Sequence, residues 1–251
     1  NFDWSGLLSE KTNGDSLRIL DVACGTGRWL QALQYYVNFD NKSANIIYDL
    51  LDPNPDAVVS AAQKMRHPFQ LGEKYAMKIQ EAKLEQNAYN LLWSMHGFYT
   101  ILREDLASVL TGCMGLLNTT GVGFIALATR KSFYIDFYDQ YLNSFYEGKG
   151  VRFTSAEDIV DALLKCGIQH NLKKIIYEEQ IHIENFSAVK HYIETESIIN
   201  SFDRSKNLDI SGKKSEKELI FYPEIKEYLD SLIRDSFYYF PQEVWLISFY
   251  R

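Results

Sequence analysis

Residues 17–30 read LRILDVACGTGRWL, and this stretch decides the fold class of the chain. An apolar run ends in the acidic Asp21, and small residues then occupy every second position, at Ala23, Gly25 and Gly27. The pattern predicts a strand, a tight turn and a helix that begins at Gly27. Small residues let a ligand approach the backbone closely, and the start of a helix offers backbone N–H donors. The stretch therefore predicts a turn that binds a nucleotide-like ligand.

The spacing of the small residues separates this turn from two common phosphate-binding loops. A dinucleotide-binding turn reads G-x-G-x-x-G, with its third glycine inside the helix, but here the helix carries Arg28 and Trp29. A P-loop requires G-x-x-x-x-G-K-[ST], and no Lys-Ser or Lys-Thr pair follows immediately. The pattern D-x-A-x-G-x-G resembles the first motif of the class I S-adenosylmethionine-dependent methyltransferases, which usually have glycine at the place of Ala23. The alternative is an ordinary strand-turn-helix without a ligand.

The resemblance implies a transferase whose cofactor is S-adenosyl-L-methionine. It implies an α/β, Rossmann-like fold with a seven-stranded, mostly parallel sheet, a reversed C-terminal strand and helices on both faces. We expect a single class I methyltransferase domain over residues 1–251, with a cofactor-binding half at 17–130. Residues 131–251 would then supply the substrate-side helices and the closing strands.

The alternation of apolar strands and amphipathic helices in the first half independently predicts a parallel sheet that is covered on both faces. The predicted strands are 17–22, 46–51, 75–80, 90–95 and 123–128, and the predicted helices are 27–37, 55–65 and 103–117. The second half is predicted to contain an aromatic-rich helix at 131–146, a helix that opens at the T-x-x-E capping box of Thr154 and Glu157 and ends near Gly167, a strand at 173–183, helices at 187–202 and 224–235, and a closing strand at 244–250.

Composition limits the partners and the compartment. The chain of 251 residues has a formal net charge of -7, which disfavours nucleic acid because phosphate contacts need a basic surface. No run approaches 18 apolar residues, so we expect no membrane partner. The three cysteines lie far apart, which favours reduced thiols, no metal site and a cytoplasmic location. A monomer is favoured, and the first residue, Asn1, is compatible with a missing N-terminal segment.

Asp52 follows the second predicted strand directly, in the sequence DLLDPNPDA. An acid at this place in an open α/β sheet can accept hydrogen bonds from both hydroxyls of a ribose. Asp49 competes for this role only if the strand ends early. The alternative for Asp52 is a turn-forming residue before Pro53.

Met95 and His96 end the fourth predicted strand, in YNLLWSMHGFYTI. Open α/β sheets bind ligands outside the carboxyl ends of their strands, so these residues are expected to border the reactive methyl group. His96 could orient a substrate or accept a proton as the catalytic residue. The alternative is a histidine that serves only the surface or the core.

These segments together resemble the histamine N-methyltransferase-like enzymes most. The first shared feature is an acid followed by proline, here Asp52-Pro53. The second is a segment with adjacent aromatic residues after the fourth strand, here residues 96–100. The third is an aromatic-rich helix after the fifth strand, here with Phe133, Tyr134, Phe137 and Tyr138. This chain has His96 where that family has glutamine and Gln242 where it has asparagine, and tyrosines replace tryptophans on the aromatic helix.

The resemblance implies two sets of site residues. The cofactor would be held by the glycine turn, the acid after the second strand and two residues beside the adenine: Asp21, Ala23, Cys24, Gly25, Gly27, Asp52, Pro53, Ala82 and Met95. The substrate pocket would be lined by His96, Tyr99, Tyr134, Tyr138 and Gln242. An ordinary core stripe is the alternative for most of the aromatic helix.

The expected reaction is N-methylation of a small polar amine or heterocycle. No Asn/Asp-Pro-Pro-aromatic sequence follows the fourth strand, where amide- and base-methylating relatives carry one, and this favours a small-molecule substrate. The first alternative is O- or C-methylation of a carboxylate, phenol or keto acid in a natural-product pathway. The second is a non-catalytic, methyltransferase-like binding module.

Overall fold

A computed structural model describes residues 16–36, 46–196 and 223–251 of the chain. The chain divides into two compact units. Of the described residues, the first unit comprises 16–36, 46–127, 158–173 and 246–251, and the second comprises 128–157, 174–196 and 223–245. The predicted ends of two helices, at residue 37 and at 197–202, lie outside the described residues.

The strands and helices alternate as predicted through the first half of the chain. In chain order they are β1 Leu17–Val22, α1 Arg28–Tyr36, β2 Ile46–Leu51, α2 Pro55–Gln63, β3 Phe69–Tyr75, β4 Tyr89–Met95, α3 Leu106–Leu116, β5 Leu117–Ala128, α4 Phe133–Tyr146, α5 Ala156–Lys165, β6 His170–His182, α6 Phe186–Glu196, α7 Pro223–Ser231, β7 Ile233–Arg234 and β8 Phe237–Tyr250. None of the described helices is long and apolar enough to cross a membrane.

The strands form one mostly parallel sheet in the order β3-β2-β1-β4-β5-β8-β6, with β7 beside β8. The pairs β1-β2, β1-β4, β2-β3 and β4-β5 are parallel, whereas the C-terminal strand β8 is antiparallel to β7. The predicted Rossmann-like fold class is therefore confirmed, with one strand more than the seven expected. The additional strand, β7, has two residues and carries no periodic pattern that a sequence could show.

The predicted third strand, at 75–80, is wrong, because β3 is Phe69–Tyr75. This strand lies at the edge of the sheet, and Phe69 is its only buried residue, so it lacks the apolar run of a central strand. Gly72 allows it to pack beside β2, since a Cβ atom there would lie 1.9 Å from Oδ1 of Asp49.

The central position of β1 brings three strand ends together. In the parallel registers, Val22 lies opposite Leu51 of β2, and Asp21 lies opposite Trp93 of β4. Because parallel strands run in the same direction, their carboxyl ends meet at one edge of the sheet. The glycine turn follows the first of these ends, Asp52 the second and His96 the third.

In the second unit, α4 supplies an aromatic core. Phe133 and Phe137 are fully buried, and Phe133 packs edge-to-face on Phe240 with the ring centroids 4.7 Å apart. Tyr228 of α7 stacks on Phe133 and donates a hydrogen bond of 2.9 Å to Asp136. The apolar stripe of this helix thus serves mainly as core packing.

Candidate functional site

The turn after β1 has three residues in the left-handed region at alternate positions. The φ angles are +59° at Ala23, +51° at Gly25 and +79° at Gly27. Glycine adopts this region without strain, whereas the Cβ atom of Ala23 makes the left-handed conformation less favourable by about 1 kcal/mol. A Cβ atom at Gly25 would meet nothing within 4 Å, so this face of the turn is open to an approaching ligand.

Gly27 has a different part in the turn from the one predicted. Its N–H donates to the Cys24 carbonyl at 3.1 Å, so this group closes the turn and is not a free donor at a helix start. A Cβ atom at Gly27 would lie 2.9 Å from Cα of Ala61, because α1 and α2 approach each other closely here. Gly27 therefore allows helix packing, and Gly25 is the residue whose backbone remains accessible.

Asp52 joins the glycine turn to the end of β2. Its Oδ2 accepts the N–H of Gly25 at 3.0 Å, and its Oδ1 accepts the N–H of Asn54 at 2.9 Å. The side chain of Asn54 in turn caps α2, and the exposed Pro53 lies between the two. Each carboxylate oxygen has two lone pairs, so both oxygens of the buried Asp52 retain capacity for a ligand hydroxyl.

The competing acid, Asp49, is fully committed elsewhere. It is completely buried and lies 2.9 Å from the Arg18 guanidinium. The Tyr89 hydroxyl donates to the same carboxylate at 2.8 Å, and the N–H of Glu73 donates to its other oxygen at 2.8 Å. Asp49 is therefore a structural ion-pair partner within the sheet, and Asp52 is the acid that lies beside the glycine turn at the carboxyl end of β2.

Asp21 lies beneath the turn in a short chain of hydrogen bonds. Trp93 Nε1 donates to the Tyr48 hydroxyl at 3.1 Å, and this hydroxyl donates to Asp21 at 2.7 Å. The pKa of the Asp21 carboxyl is raised to about 7, mainly by burial; the hydrogen bond from Tyr48 opposes this rise, and the nearby charge of Asp52 adds to it. Asp21 therefore changes its charge near neutral pH.

Cys24 is a packing residue with a neutral thiol. It is buried, and its N–H donates to the Leu51 carbonyl at 3.1 Å. Burial raises the pKa of its thiol far above the ordinary value, and the charges of Asp21 and Asp52 add to this effect. The thiolate form is therefore not available as a ligand or a nucleophile.

Ser94 and Gly97 adjoin the glycine turn, and sequence analysis missed both. The Ser94 hydroxyl is fully buried and has no hydrogen-bond partner among the described residues. A Cβ atom at Gly97 would lie 2.4 Å from this hydroxyl and 2.5 Å from Cβ of Ala23. No local signal in the sequence identifies such a contact, because it depends on the pairing of β1 with β4.

His96 lies directly after β4 in a left-handed conformation, with φ at +55°. Its N–H donates to the Ala126 carbonyl at 2.8 Å, and its Nδ1 is 2.6 Å from the hydroxyl of the buried Tyr99. The two rings stack with their centroids 6.0 Å apart. Although His96 is exposed, the protein atoms around the ring disfavour the imidazolium form and lower the pKa of His96. The structure thus presents a neutral imidazole at the carboxyl end of β4, beside the half-buried Met95.

Ala82 is the remaining residue that was predicted to bind the cofactor. Ala82 is half-buried in the loop between β3 and β4, where its N–H donates to the Ile79 carbonyl at 3.4 Å. Its position beside an adenine remains a prediction.

Tyr134, Tyr138 and Gln242 belong to the second unit. Tyr138 is buried, stacks on Phe153 at 4.1 Å between centroids, and donates to the Val151 carbonyl at 3.3 Å. Gln242 is also buried, and its side-chain amide donates to the Tyr192 hydroxyl at 3.0 Å. Within this unit both side chains have structural contacts. Tyr134 stacks on Phe153 but is only half-buried.

The residues of the first unit fit the cofactor that the sequence motif implies. Gly25 leaves an open backbone face, Asp52 offers acceptor lone pairs, and Ser94 offers a buried hydroxyl that lacks a partner among the described residues. A ligand with a ribose and polar amino-acid groups matches this donor and acceptor set.

Comparisons with known proteins agree with this assignment. Residues 19–121, which contain the glycine turn, Asp52 and His96, match the profile of a family described as a methyltransferase domain. No curated protein matches the chain. Several solved structures share its fold.

A protein from Bacillus halodurans described as a methyltransferase is 14% identical, with a TM-score of 0.55, and the alignment covers 98% of each chain. A Galdieria sulphuraria protein described as a sarcosine dimethylglycine methyltransferase is 13% identical, with a TM-score of 0.54, and 98% of this chain and 84% of that one are covered. A cyclopropane synthase from Mycobacterium tuberculosis is 11% identical, with a TM-score of 0.52 and coverages of 96% and 81%.

At these identities the structural likenesses show a common fold alone. The assignment of an activity rests on the matched segment, residues 19–121, because the glycine turn and Asp52 lie inside it. The chain is an enzyme in which residues 19–121 match a methyltransferase domain, and its cofactor is S-adenosyl-L-methionine.

Proposed function

We propose that this enzyme methylates a small molecule, and that the acceptor is a nitrogen of a small polar amine or heterocycle. The observation that carries the proposal is the neutral imidazole of His96, which is held by Tyr99 at the carboxyl end of β4. An amine that reaches the site as an ammonium ion must lose a proton before its lone pair can react, and a neutral imidazole accepts such a proton. The formal charge of -7 also suits a cationic substrate better than a nucleic acid.

The cofactor-binding roles follow from the contacts of the first unit. Asp52 would accept the ribose hydroxyls, the backbone at Ala23 and Gly25 would border the cofactor, and Asp21 would lie beneath them. Ala82 and Met95 would lie beside the adenine. When bound, S-adenosyl-L-methionine supplies an electrophilic methyl group on a sulfonium. The chain's own contribution is to position an acceptor about 3 Å from that methyl and in line with it.

His96 would act through Nε2, and Tyr99 would set the tautomer that makes this possible. A neutral imidazole has one N–H donor and one acceptor nitrogen. If Nδ1 donates to the Tyr99 hydroxyl, Nε2 is left as the acceptor. Tyr99 is buried and therefore fixes the orientation of the ring. Among the other predicted substrate residues, Tyr134 has the most accessible ring, whereas Tyr138 and Gln242 have packing roles that already explain them.

O-methylation is the second candidate, and the same imidazole favours it. A hydroxyl or carboxylic acid acceptor must lose its proton for reaction at oxygen, and His96 can serve as the base. The two candidates differ in their product, since one gives an N-methyl compound and the other an ether or ester.

Calorimetric titration with S-adenosylmethionine and S-adenosylhomocysteine, followed by product analysis, tests the proposal. Asp52→Ala removes the acceptor for the ribose and for Gly25, so we expect the dissociation constant to rise by a factor of about 30 or more, which corresponds to about 2 kcal/mol. Asp56→Ala, an exposed acid on α2, is the matched control and should bind like wild type.

A panel of amines, phenols and keto acids then identifies the acceptor by mass spectrometry. Methylated amines support the proposal, and methylation of phenols or carboxylic acids alone replaces it with the second candidate. Unchanged cofactor affinity in Asp52→Ala would refute the cofactor-binding role of Asp52.

A further inference from the structure

Strand β6 is exposed in a way that is unusual for a strand of its length. It reads HNLKKIIYEEQIH over His170–His182, and every residue from 171 to 180 is exposed. Ile176 is 71% exposed, and its neighbours Ile175 and Tyr177 are 41% and 45% exposed. The strand ends the sheet, and among the described residues no strand pairs with its outer edge.

This edge lacks most of the devices that protect sheet edges from pairing. Natural edge strands are often short, bulged or interrupted by proline, or they carry charged side chains, especially lysine. Of these devices β6 has charged side chains, among them Lys173 and Lys174. The opposite edge of the sheet, β3, has seven residues and contains Gly72. In contrast, β6 has 13 residues without proline or glycine and extends over about 40 Å.

The charges of β6 have a two-fold pattern centred on Ile176. Lys173 and Lys174 precede the apolar centre, and Glu178 and Glu179 follow it at equal distances. In an antiparallel pair of two such strands with Ile176 opposite Ile176, each lysine lies opposite a glutamate of the other strand. In a parallel pair in register, lysine would lie opposite lysine, which is destabilising.

The same register also aligns the apolar residues. Ile175 lies opposite Tyr177 of the other strand, and aromatic and β-branched side chains in directly opposed positions stabilise a sheet. On one face of the strand, Lys174 lies over the Trp245 ring and Glu178 pairs with Arg234. Lys173 and Glu179 lie on the other face, because side chains alternate along a strand.

We propose that the outer edge of β6 binds a second copy of this chain, and that the two copies form a symmetric dimer through antiparallel β6-β6 pairing centred on Ile176. Such an interface is isologous, since the same patch serves both copies. The backbone groups of both edges are satisfied, and the two sheets become one continuous sheet. The proposal is independent of the methyl acceptor.

Sedimentation velocity over a wide range of protein concentrations tests the dimer. We expect the wild type to change from monomer to dimer as the concentration rises. Ile176→Lys places two lysines at the two-fold axis, so the dimer should be lost while the thermal stability of the monomer is kept, because this side chain is exposed. Leu164→Lys, at a residue of α5 that is 62% exposed, is the matched control and should dimerise like wild type.

A charge exchange tests the register. Lys173→Glu and Glu179→Lys, each alone, place like charges opposite each other, and each should weaken dimerisation about tenfold. The double variant restores opposite charges across the axis and should dimerise like wild type. Equal weakening in the double variant would overturn the proposed register.

Hydrogen exchange of the β6 amides distinguishes other occupants of this edge. Protection that increases together with dimer formation supports the proposal. A monomer at every concentration overturns it. If the β6 amides of that monomer are protected, another part of the same chain covers the edge; if they exchange rapidly, the edge is open.

Discussion

Replacing Asp21 with asparagine tests the electrostatics beneath the glycine turn. The pKa of this buried carboxyl is about 7 in the folded chain, whereas the ordinary value of 3.8 applies in the unfolded chain. Between these values the folded state holds a proton that the unfolded state has released, so the free energy of unfolding decreases as the pH rises. The contribution is fully present below pH 3.8 and is lost as the pH rises through about 7. An asparagine side chain does not titrate, so the Asp21→Asn variant lacks this dependence.

The magnitude follows from the difference of about three pH units at about 1.36 kcal/mol each, which gives a total of about 4 kcal/mol. In a practical range, from about pH 5 to about pH 8, the stability of the wild type relative to Asp21→Asn should fall by about 3 kcal/mol. His96 has a lowered pKa and acts in the opposite direction, since it favours the folded state as the pH rises towards its ordinary value. Both proteins carry His96, so its contribution cancels in the comparison.

Urea denaturation of both proteins, followed by tryptophan fluorescence at a series of pH values, measures the difference. Equal slopes of free energy against urea concentration are required, because only then do the midpoints report stability. Asp56→Asn, at an exposed carboxyl, is the control and should differ from the wild type far less than Asp21→Asn does. If the stabilities of Asp21→Asn and the wild type run parallel from about pH 5 to about pH 8, Asp21 does not hold a proton in the folded chain and the reasoning fails.

Three further changes address the packing and chemistry of the site. Gly97→Ala should lower the free energy of unfolding by about 1–3 kcal/mol, because a methyl group there would lie 2.4 Å from the Ser94 hydroxyl and 2.5 Å from Cβ of Ala23. The control, Gly112→Ala in α3, introduces a methyl group that meets nothing within 4 Å and should raise the free energy of unfolding by about 0.5–1 kcal/mol. Equal effects of the two substitutions in urea denaturation would contradict this prediction. Tyr99→Phe removes one hydrogen bond of about 1.4 kcal/mol from the His96 imidazole and should therefore lower kcat about tenfold. The cofactor affinity, measured by calorimetry, should not change. If kcat and its pH profile are both unchanged, Tyr99 does not position His96. Arg18→Met should lower the free energy of unfolding by about 2–3 kcal/mol, because Asp49 is left buried without its ion-pair partner. Cofactor affinity should not change, and a comparable loss of affinity in the folded variant would show that the Arg18–Asp49 pair also supports the cofactor site.

The central part of the fold could be predicted from the sequence because its signals are local. β1 and β2 begin and end where predicted, since each is an apolar run bounded by turn residues. β3 could not be located, because an exposed edge strand with charged residues has no apolar run. The predicted start of β5, at residue 123, is wrong for a similar reason: the strand begins at Leu117, but residues 118–120 are not buried.

In the candidate site, too, local patterns identify some residues, whereas other contacts arise only when the chain folds. Asp21 and Asp52 stand out because an acid after an apolar strand is a local pattern, but the hydrogen bond from Gly25 to Asp52 joins residues 27 positions apart. Ser94 and Gly97 acquire their contacts only when β4 pairs with β1. Tyr134 and Tyr138 share helical spacing, which cannot show that Tyr138 is buried and bonded to a backbone carbonyl while Tyr134 is only half-buried.

The hydrogen bonds of Asp52 have a consequence for the thermodynamics of cofactor binding. They hold the turn at Gly25 and the start of α2 in place before any cofactor arrives. A preorganised turn does not have to lose conformational entropy on binding, so little of the cofactor's interaction energy is spent on ordering the protein. If Asp52 binds the ribose as proposed, the affinity lost in Asp52→Ala combines two effects, the missing acceptor for the ribose and the new entropic cost of ordering a loosened loop. A less favourable binding entropy in the variant would be the calorimetric sign of the second effect.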